Sequence, residues 1–167
     1  MERIHYIIGV IVFLLFAMSA AADEVLTTDE RVIALTLLGE ARGEGWAGMY
    51  AVGAVIQKRS QNRNLTPAQV CLQPWQFSIW NAGKGKVKKE SELYYLWKSN
   101  CTVVTRARNF ARHIYRNQEL AQGATGNADH YYSTDRKTPP YWTFDKETKK
   151  PIKPTKKIGK HIFYKLP

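Results

Sequence analysis

Apolar residues recur at helical spacing along three stretches of the chain, and an irregular, aromatic second half follows. The first stretch opens at Thr27-Thr28-Asp29-Glu30, where Thr27 and Glu30 stand at capping-box spacing. A stripe through Leu35 and Leu38 carries this helix into Gly39-Glu40-Ala41-Arg42-Gly43-Glu44-Gly45. Three glycines in those seven residues should end or break it near Gly43. A second helix is expected from Trp46 to Arg59, with Trp46, Met49, Val52 or Gly53, and Ile56 on one face. Asn62 to Leu65 reads as a loop, and Thr66-Pro67 starts a short helix over Pro67 to Cys71. The spacing then predicts a long helix over Ser91 to Gln118, with Leu93, Leu96 or Trp97, Val104, Ala107 or Ala111, and Ile114 facing inward.

Between and after these helices the periodicity is lost. Gln73 to Trp80 is aromatic and irregular, and Gly83 to Lys89 is a basic, glycine-containing loop. Past Gly123, the run Ala128 to Ser133 has strand character, Pro139-Pro140-Tyr141-Trp142 excludes helix, and residues 145–157 form a lysine-rich loop. His161 to Tyr164 makes a last short strand. The pattern is that of an α+β, mainly helical domain with a small β-element and long aromatic loops. A chain of 167 residues holds one such domain around a single core.

The start of the chain belongs to another class of segment. Ile7 to Met18 is uncharged and Ser19-Ala20-Ala21-Ala22 follows, so residues 1–22 read as a signal peptide cleaved after Ala22 or one residue earlier. The alternative is an uncleaved signal-anchor over Ile4 to Ala22. In both cases residues 23–167 are a single exported domain of the periplasm, cell wall or extracellular space, and it touches a membrane only if the leader stays attached. The net charge of +11 survives loss of the leader, which carries one arginine and one glutamate. An exported domain this basic meets wall polymers, lipopolysaccharide or anionic lipid rather than nucleic acid, or its charge serves solubility alone. Export also permits Cys71 and Cys101 to pair, which would stabilise the fold by roughly 3–4 kcal/mol, although two cysteines do not make a metal site. Nothing points to an obligate oligomer, so a monomer is expected.

Candidate chemistry centres on Glu40 and Glu44, beside glycines at the junction of two apolar helices. Burial of a carboxyl group favours its protonated form, the state a general acid needs. The competing reading is a solvated pair of helix-end glutamates bridged to Arg42 or Arg59. Trp75, Phe77, Trp80, Tyr131, Tyr132, Tyr141 and Trp142 all fall in expected loops or edges, where aromatic rings are platforms for sugars or bases; some must also build the core. A carboxylate with an aromatic groove suits a glycosidase better than a nuclease. The sequence contains no Walker loop, no HExxH pattern, no cysteine nucleophile beside a histidine and no Gly-x-Ser-x-Gly elbow. His113 falls in the long helix, whereas His130 and His161 lie in the two aromatic tail segments and could meet in space. Two histidines with a carboxylate are a conceivable zinc set, but no metal or other cofactor is expected.

Taken in order, Gly39-Glu40-Ala41-Arg42-Gly43-Glu44, Gln57-x-Arg59, Gln76-Phe77-Ser78-x-Trp80, His130-Tyr131-Tyr132, Pro139-Pro140-x-Trp142 and Ile158-Gly159-x-His161-x-Phe163-Tyr164 resemble the cell-wall hydrolase family of the spore cortex-lytic enzymes. The resemblance spans residues 29–165. It implies a lysozyme-like fold and cleavage of peptidoglycan glycan strands between N-acetylmuramic acid and N-acetylglucosamine, by a lytic transglycosylase mechanism that leaves a 1,6-anhydromuramyl end. It places the catalytic glutamate at Glu40 and makes Glu44 a support for substrate or loop. With the aromatic residues above, Ser78, His130 and His161 complete the expected substrate-binding set. The lysine-rich insertion near 146–157 and the lack of a separate peptidoglycan-binding repeat within these residues depart from the spore enzymes, and suit a general wall hydrolase or phage endolysin better. The alternatives are a muramidase-type hydrolase with two carboxylates, a zinc or cysteine amidase or endopeptidase, and a non-catalytic basic wall-binding protein.

Overall fold

The computed structural model describes residues 25–116, 120 and 122–167; the expected leader over residues 1–22 lies outside the described residues, as does Gln118. Helix α1 (Thr28–Ala41) begins at the expected box: Thr27 Oγ1 accepts from Glu30 N at 3.2 Å, and Glu30 Oε2 accepts from Thr27 N at 2.8 Å. Its residues Val32 to Leu38 are buried on every side, Thr36 included, so α1 is a central helix rather than an amphipathic one. Helices α2 (Gly45–Arg63), α3 (Pro67–Leu72) and α4 (Cys101–Tyr115) pack around it. The second helix outruns its expected end by a turn and closes where Asn64 takes the left-handed conformation. The short third helix carries the expected proline start and a second capping box between Thr66 and Gln69.

The long helix expected over Ser91 to Gln118 is two elements. A 3-10 helix covers Glu90–Lys98, the backbone extends through Ser99 and Asn100, and α4 then begins afresh. Asn100 Oδ1 accepts from Thr102 N at 2.9 Å, an N-cap that ends one helix and starts the next. Leu93 and Leu96 from the first piece, with Ala107, Ala111 and Ile114 from the second, do face the core.

Three antiparallel strands form the β-element: β1 (His130–Ser133), β2 (Lys156–Ile158) and β3 (His161–Tyr164), in the order β1-β3-β2. Strand β2 lies at the end of a stretch expected to be loop throughout. Ala51 and Val55 of α2 pack with Ala128 and Phe163, while Met49, Val52 and Ile56 turn toward α1. Helix α2 is therefore the layer that fixes the sheet relative to the end of α1.

Two further expectations are corrected. Pro139-Pro140 does not exclude helix, because Pro140 precedes the 3-10 turn Tyr141–Thr143 and its carbonyl accepts from Thr143 N at 3.0 Å. Trp46 is exposed rather than core-facing and stacks on Tyr50 with ring centroids 5.0 Å apart. Cys71 and Cys101 are both free thiols, the first buried in α3 and the second exposed at the start of α4, so the pairing that export permits is not made. Burial pushes the Cys71 thiol up to about 12 and leaves it inert.

Candidate functional site

Glu40 occupies the last turn of α1, where three donors meet its carboxylate. Ser78 Oγ and Ile79 N donate to Oε1 at 2.9 and 3.1 Å, and the Tyr131 hydroxyl donates to Oε2 at 3.0 Å. Each donor has a local cause. The segment around Ile79 reaches Glu40 because residue 39 is glycine; a Cβ there would run into the Ile79 side chain. Tyr131 is aimed by β1, and its ring lies between His161 at 4.8 Å and Phe163 at 5.6 Å. Burial, reinforced by Glu40, raises the phenol well above its ordinary value, so it remains a proton donor.

This set can serve a carboxyl group in both protonation states. Ile79 N–H can only donate, which holds Oε1 as an acceptor and leaves Oε2 to carry a proton. Ser78 can donate to Oε1 in either state, and the Tyr131 hydroxyl on Oε2 can donate to a carboxylate and rotate to accept from an acid.

Glu40 opens on a cleft of about 390 Å³, in which it is the one carboxylate among the described lining residues. Tyr131 and the buried Arg59 and His161 line its inner part; Trp75, Ser78, Tyr132, Arg136 and Trp142 also line it. Trp75 is 65 % exposed and held with φ +67° while its backbone N donates to Asn81 Oδ1 at 3.2 Å. A left-handed backbone at a bulky residue is strained, and here it presents the indole to solvent at the cleft.

Arg59 was not among the expected site residues, although the Gln57-x-Arg59 pair marked it. Its Nε donates to the Asp129 carbonyl at 2.7 Å, its Nη1 donates to the Gln76 carbonyl at 3.2 Å, and its guanidinium lies over the Phe77 ring at 5.1 Å. It thus ties the aromatic segment to the residue preceding β1, two walls of one cleft. Burial lowers its pKa, and Tyr131 and Asp129 oppose that shift. The salt bridges considered for Glu40 and Glu44 do not form here: Arg59 serves carbonyl groups, and Arg42 donates to the Leu38 carbonyl at 3.3 Å.

Of the expected substrate-binding residues, Trp75, Ser78, Tyr131, Tyr132, Trp142 and His161 line the cleft with Glu40. Phe77 and Trp80 do not: each is 1 % exposed, and Trp80 Nε1 donates to Thr36 Oγ1 at 2.8 Å within the core. Glu44 is not among the residues lining the cleft, and its Oε2 accepts from Lys160 N at 2.7 Å. Gly159, at φ +55°, lies against that carboxylate so closely that a Cβ would collide with it. Glu44 therefore supports the turn that leads into His161. Tyr141 is 84 % exposed and lies outside the cleft lining.

His130 and His161 do not meet. His130 pairs with Tyr164 and His161 with Ser133, which puts them at opposite ends and on opposite faces of the ladder. His130 packs on Trp142 at 5.1 Å with Nδ1 beside Asp129 Oδ1 at 2.9 Å, so it positions a cleft residue from behind. His113 is exposed on α4. No group of His, Cys, Asp and Glu among the described residues could hold a metal ion. His161 has a buried Nδ1 without a partner among the described residues, and burial lowers its pKa against the opposing pull of Glu44 and Glu40.

Solved structures share this fold. The catalytic domain of the germination-specific lytic transglycosylase SleB from Bacillus anthracis is 27 % identical, with a TM-score of 0.54 over 87 % of this chain and 100 % of that domain. The catalytic domain of the Bacillus cereus SleB protein is 26 % identical, with a TM-score of 0.52 over 88 % of this chain and 97 % of that one. No curated protein sequence matches the chain. The family profile of the cell wall hydrolases matches residues 43–164, most of the chain, and the protein belongs to that family.

Proposed function

We propose that this enzyme is a lytic transglycosylase that cuts peptidoglycan glycan strands between N-acetylmuramic acid and N-acetylglucosamine, with Glu40 as acid and then base. The observation that carries the reading is a cleft lined, among the described residues, by one carboxylate, Glu40, with a hydrogen-bond set suited to both of its protonation states. Hydrolysis with paired carboxyl groups needs a second one facing the first across the bond. The nearest candidate in sequence, Glu44, is committed to the β2–β3 turn.

The steps balance without water. Glu40 gives its proton to the glycosidic oxygen as the C1–O bond breaks, and the muramyl ring takes on oxocarbenium character. The resulting carboxylate then takes the proton of the muramyl C6 hydroxyl while O6 bonds to C1, which closes the anhydro ring and restores the acid. Ser78, Ile79 and Tyr131 hold the carboxyl group in place throughout. Trp75 and Trp142 offer ring faces for the neighbouring sugars. The likeness to the SleB lytic transglycosylase domain supports the same reaction class.

The family's substrate places the enzyme at the cell wall, and export through residues 1–22 is the route we propose. The activity is tested by incubating purified peptidoglycan with the protein and with its Glu40→Gln variant. The enzyme releases muropeptides and the variant releases none while still sedimenting with the wall; release by both would remove Glu40 from the mechanism.

A further inference from the structure

Charge is unevenly spread over the molecule. Residues 146–160 hold seven lysines and one acid, Glu147, so this short stretch contributes +6 of the net +11. All seven lysines are exposed. Among the described residues one of them is ion-paired: Lys160 Nζ lies 3.1 Å from Asp135 Oδ2.

The segment is not a loosely solvated tail. Asp145 Oδ1 accepts from Thr148 N at 2.7 Å and from Thr148 Oγ1 at 2.8 Å, which closes its first turn. Ile152 N donates to the Thr143 carbonyl at 2.8 Å, and Thr155 N donates to the Phe163 carbonyl at 2.8 Å. Strand β2 then pairs with β3, and the turn that follows is held by Glu44. Fixing like charges side by side opposes folding, so an ordered scaffold that does this calls for a counter-charged partner.

We infer that residues 146–160 are a docking surface for a linear wall polymer whose charge is carried by phosphodiester groups, of the poly(polyol phosphate) kind. The residue types discriminate among polyanions. The segment contains no aromatic residue on which bases of a single-stranded nucleic acid could stack. Its two isoleucines, Ile152 and Ile158, are both half-buried, so it offers no large apolar side chain for insertion into a lipid surface. It has no arginine for forked recognition of a planar carboxylate. Flexible lysine ammonium groups along an extended edge match a flexible chain of single charges, with affinity arising from counterion release. The surface joins the cleft through β3, whose His161 lines it, so a polymer held there keeps the glycan strand beside Glu40. This docking is independent of the chemistry at Glu40.

The test uses the full chain carrying Glu40→Gln, so that no wall is cut, titrated with poly(glycerol phosphate) at 50 and 200 mM salt. The expected result is saturable binding that weakens on the order of tenfold across that salt range. Replacing Lys149, Lys150, Lys156 and Lys157 together by Gln should weaken binding at least tenfold. The same four replaced by Arg should bind as the parent does, which separates charge from fold. With Glu40 intact, the Gln variant should cut polymer-free peptidoglycan at an unchanged rate. Binding untouched by the Gln replacements would overturn the inference, as would a preference for anionic lipid vesicles or single-stranded DNA over the polymer.

Discussion

The hydroxyl of Tyr131 donates to Glu40 Oε2 at 3.0 Å, joining the sheet to the last turn of the central helix. Elements built from opposite halves of the chain thus meet at one carboxyl group. Removing the hydroxyl alone, in Tyr131→Phe, leaves the ring packed between His161 and Phe163. A hydrogen bond to a charged group contributes about 1.5–3 kcal/mol. The turnover of purified peptidoglycan should therefore fall by about 10- to 100-fold, with little change in the thermal midpoint.

Gly39 is set by Ile79 rather than by backbone conformation. In Gly39→Ala the new methyl meets the Ile79 side chain, and the segment that supplies Ile79 N and Ser78 Oγ to Glu40 must shift. Overpacking of this kind costs about 1–3 kcal/mol. Chemical denaturation should show that loss, and activity should fall further than the stability change alone explains.

Two tryptophans five residues apart should behave in opposite ways. Trp75 is 65 % exposed at the cleft, so Trp75→Ala should raise KM by about 2- to 10-fold, the worth of one ring contact, and leave the fold as stable as before. Trp80 is 1 % exposed with its indole N–H on Thr36, so Trp80→Phe should destabilise by about 1–3 kcal/mol and spare KM. Denaturation curves and steady-state kinetics on the two variants check both halves.

That contrast marks where the sequence could be read and where it could not. The capping box at Thr27 and Glu30, the proline start at Thr66-Pro67 and the glycine-rich end of α1 are local signals, decided by residues within one turn of each other, and all three form. The burial of Phe77 and Trp80 is not local. The 73–80 segment has no periodicity from which an inward face can be read, and only its seat against α1 and Arg59 decides which rings are core. The break at Ser99-Asn100 had a signal in the Asn100 cap, but the apolar spacing ran through it and suggested one helix. The place of Glu40 at the end of α1 was legible because its flanking glycines are local, whereas the task of Glu44 depends on a turn more than a hundred residues away.

Acid should weaken the fold through its buried histidine. Burial lowers the pKa of His161 in the folded state, so below the ordinary histidine value the unfolded chain binds a proton that the folded chain does not. The stability is full above that value and declines as pH falls from it toward the lowered folded value. His130, lowered chiefly by burial, adds in the same direction. Thermal midpoints measured downward from neutral pH should drop through this window, and His161→Gln should flatten the dependence.

In the proposed mechanism one carboxyl group, Glu40, performs the whole reaction and the substrate supplies its own nucleophile. The most direct measurement is mass spectrometry of muropeptides released from purified peptidoglycan in heavy-oxygen water. Intramolecular attack by O6 gives products lighter by one water than reducing muropeptides, with no heavy oxygen incorporated, and Glu40→Gln should release none. Reducing ends that carry the heavy oxygen would contradict it, since water would then be the nucleophile and a second base would have to activate it.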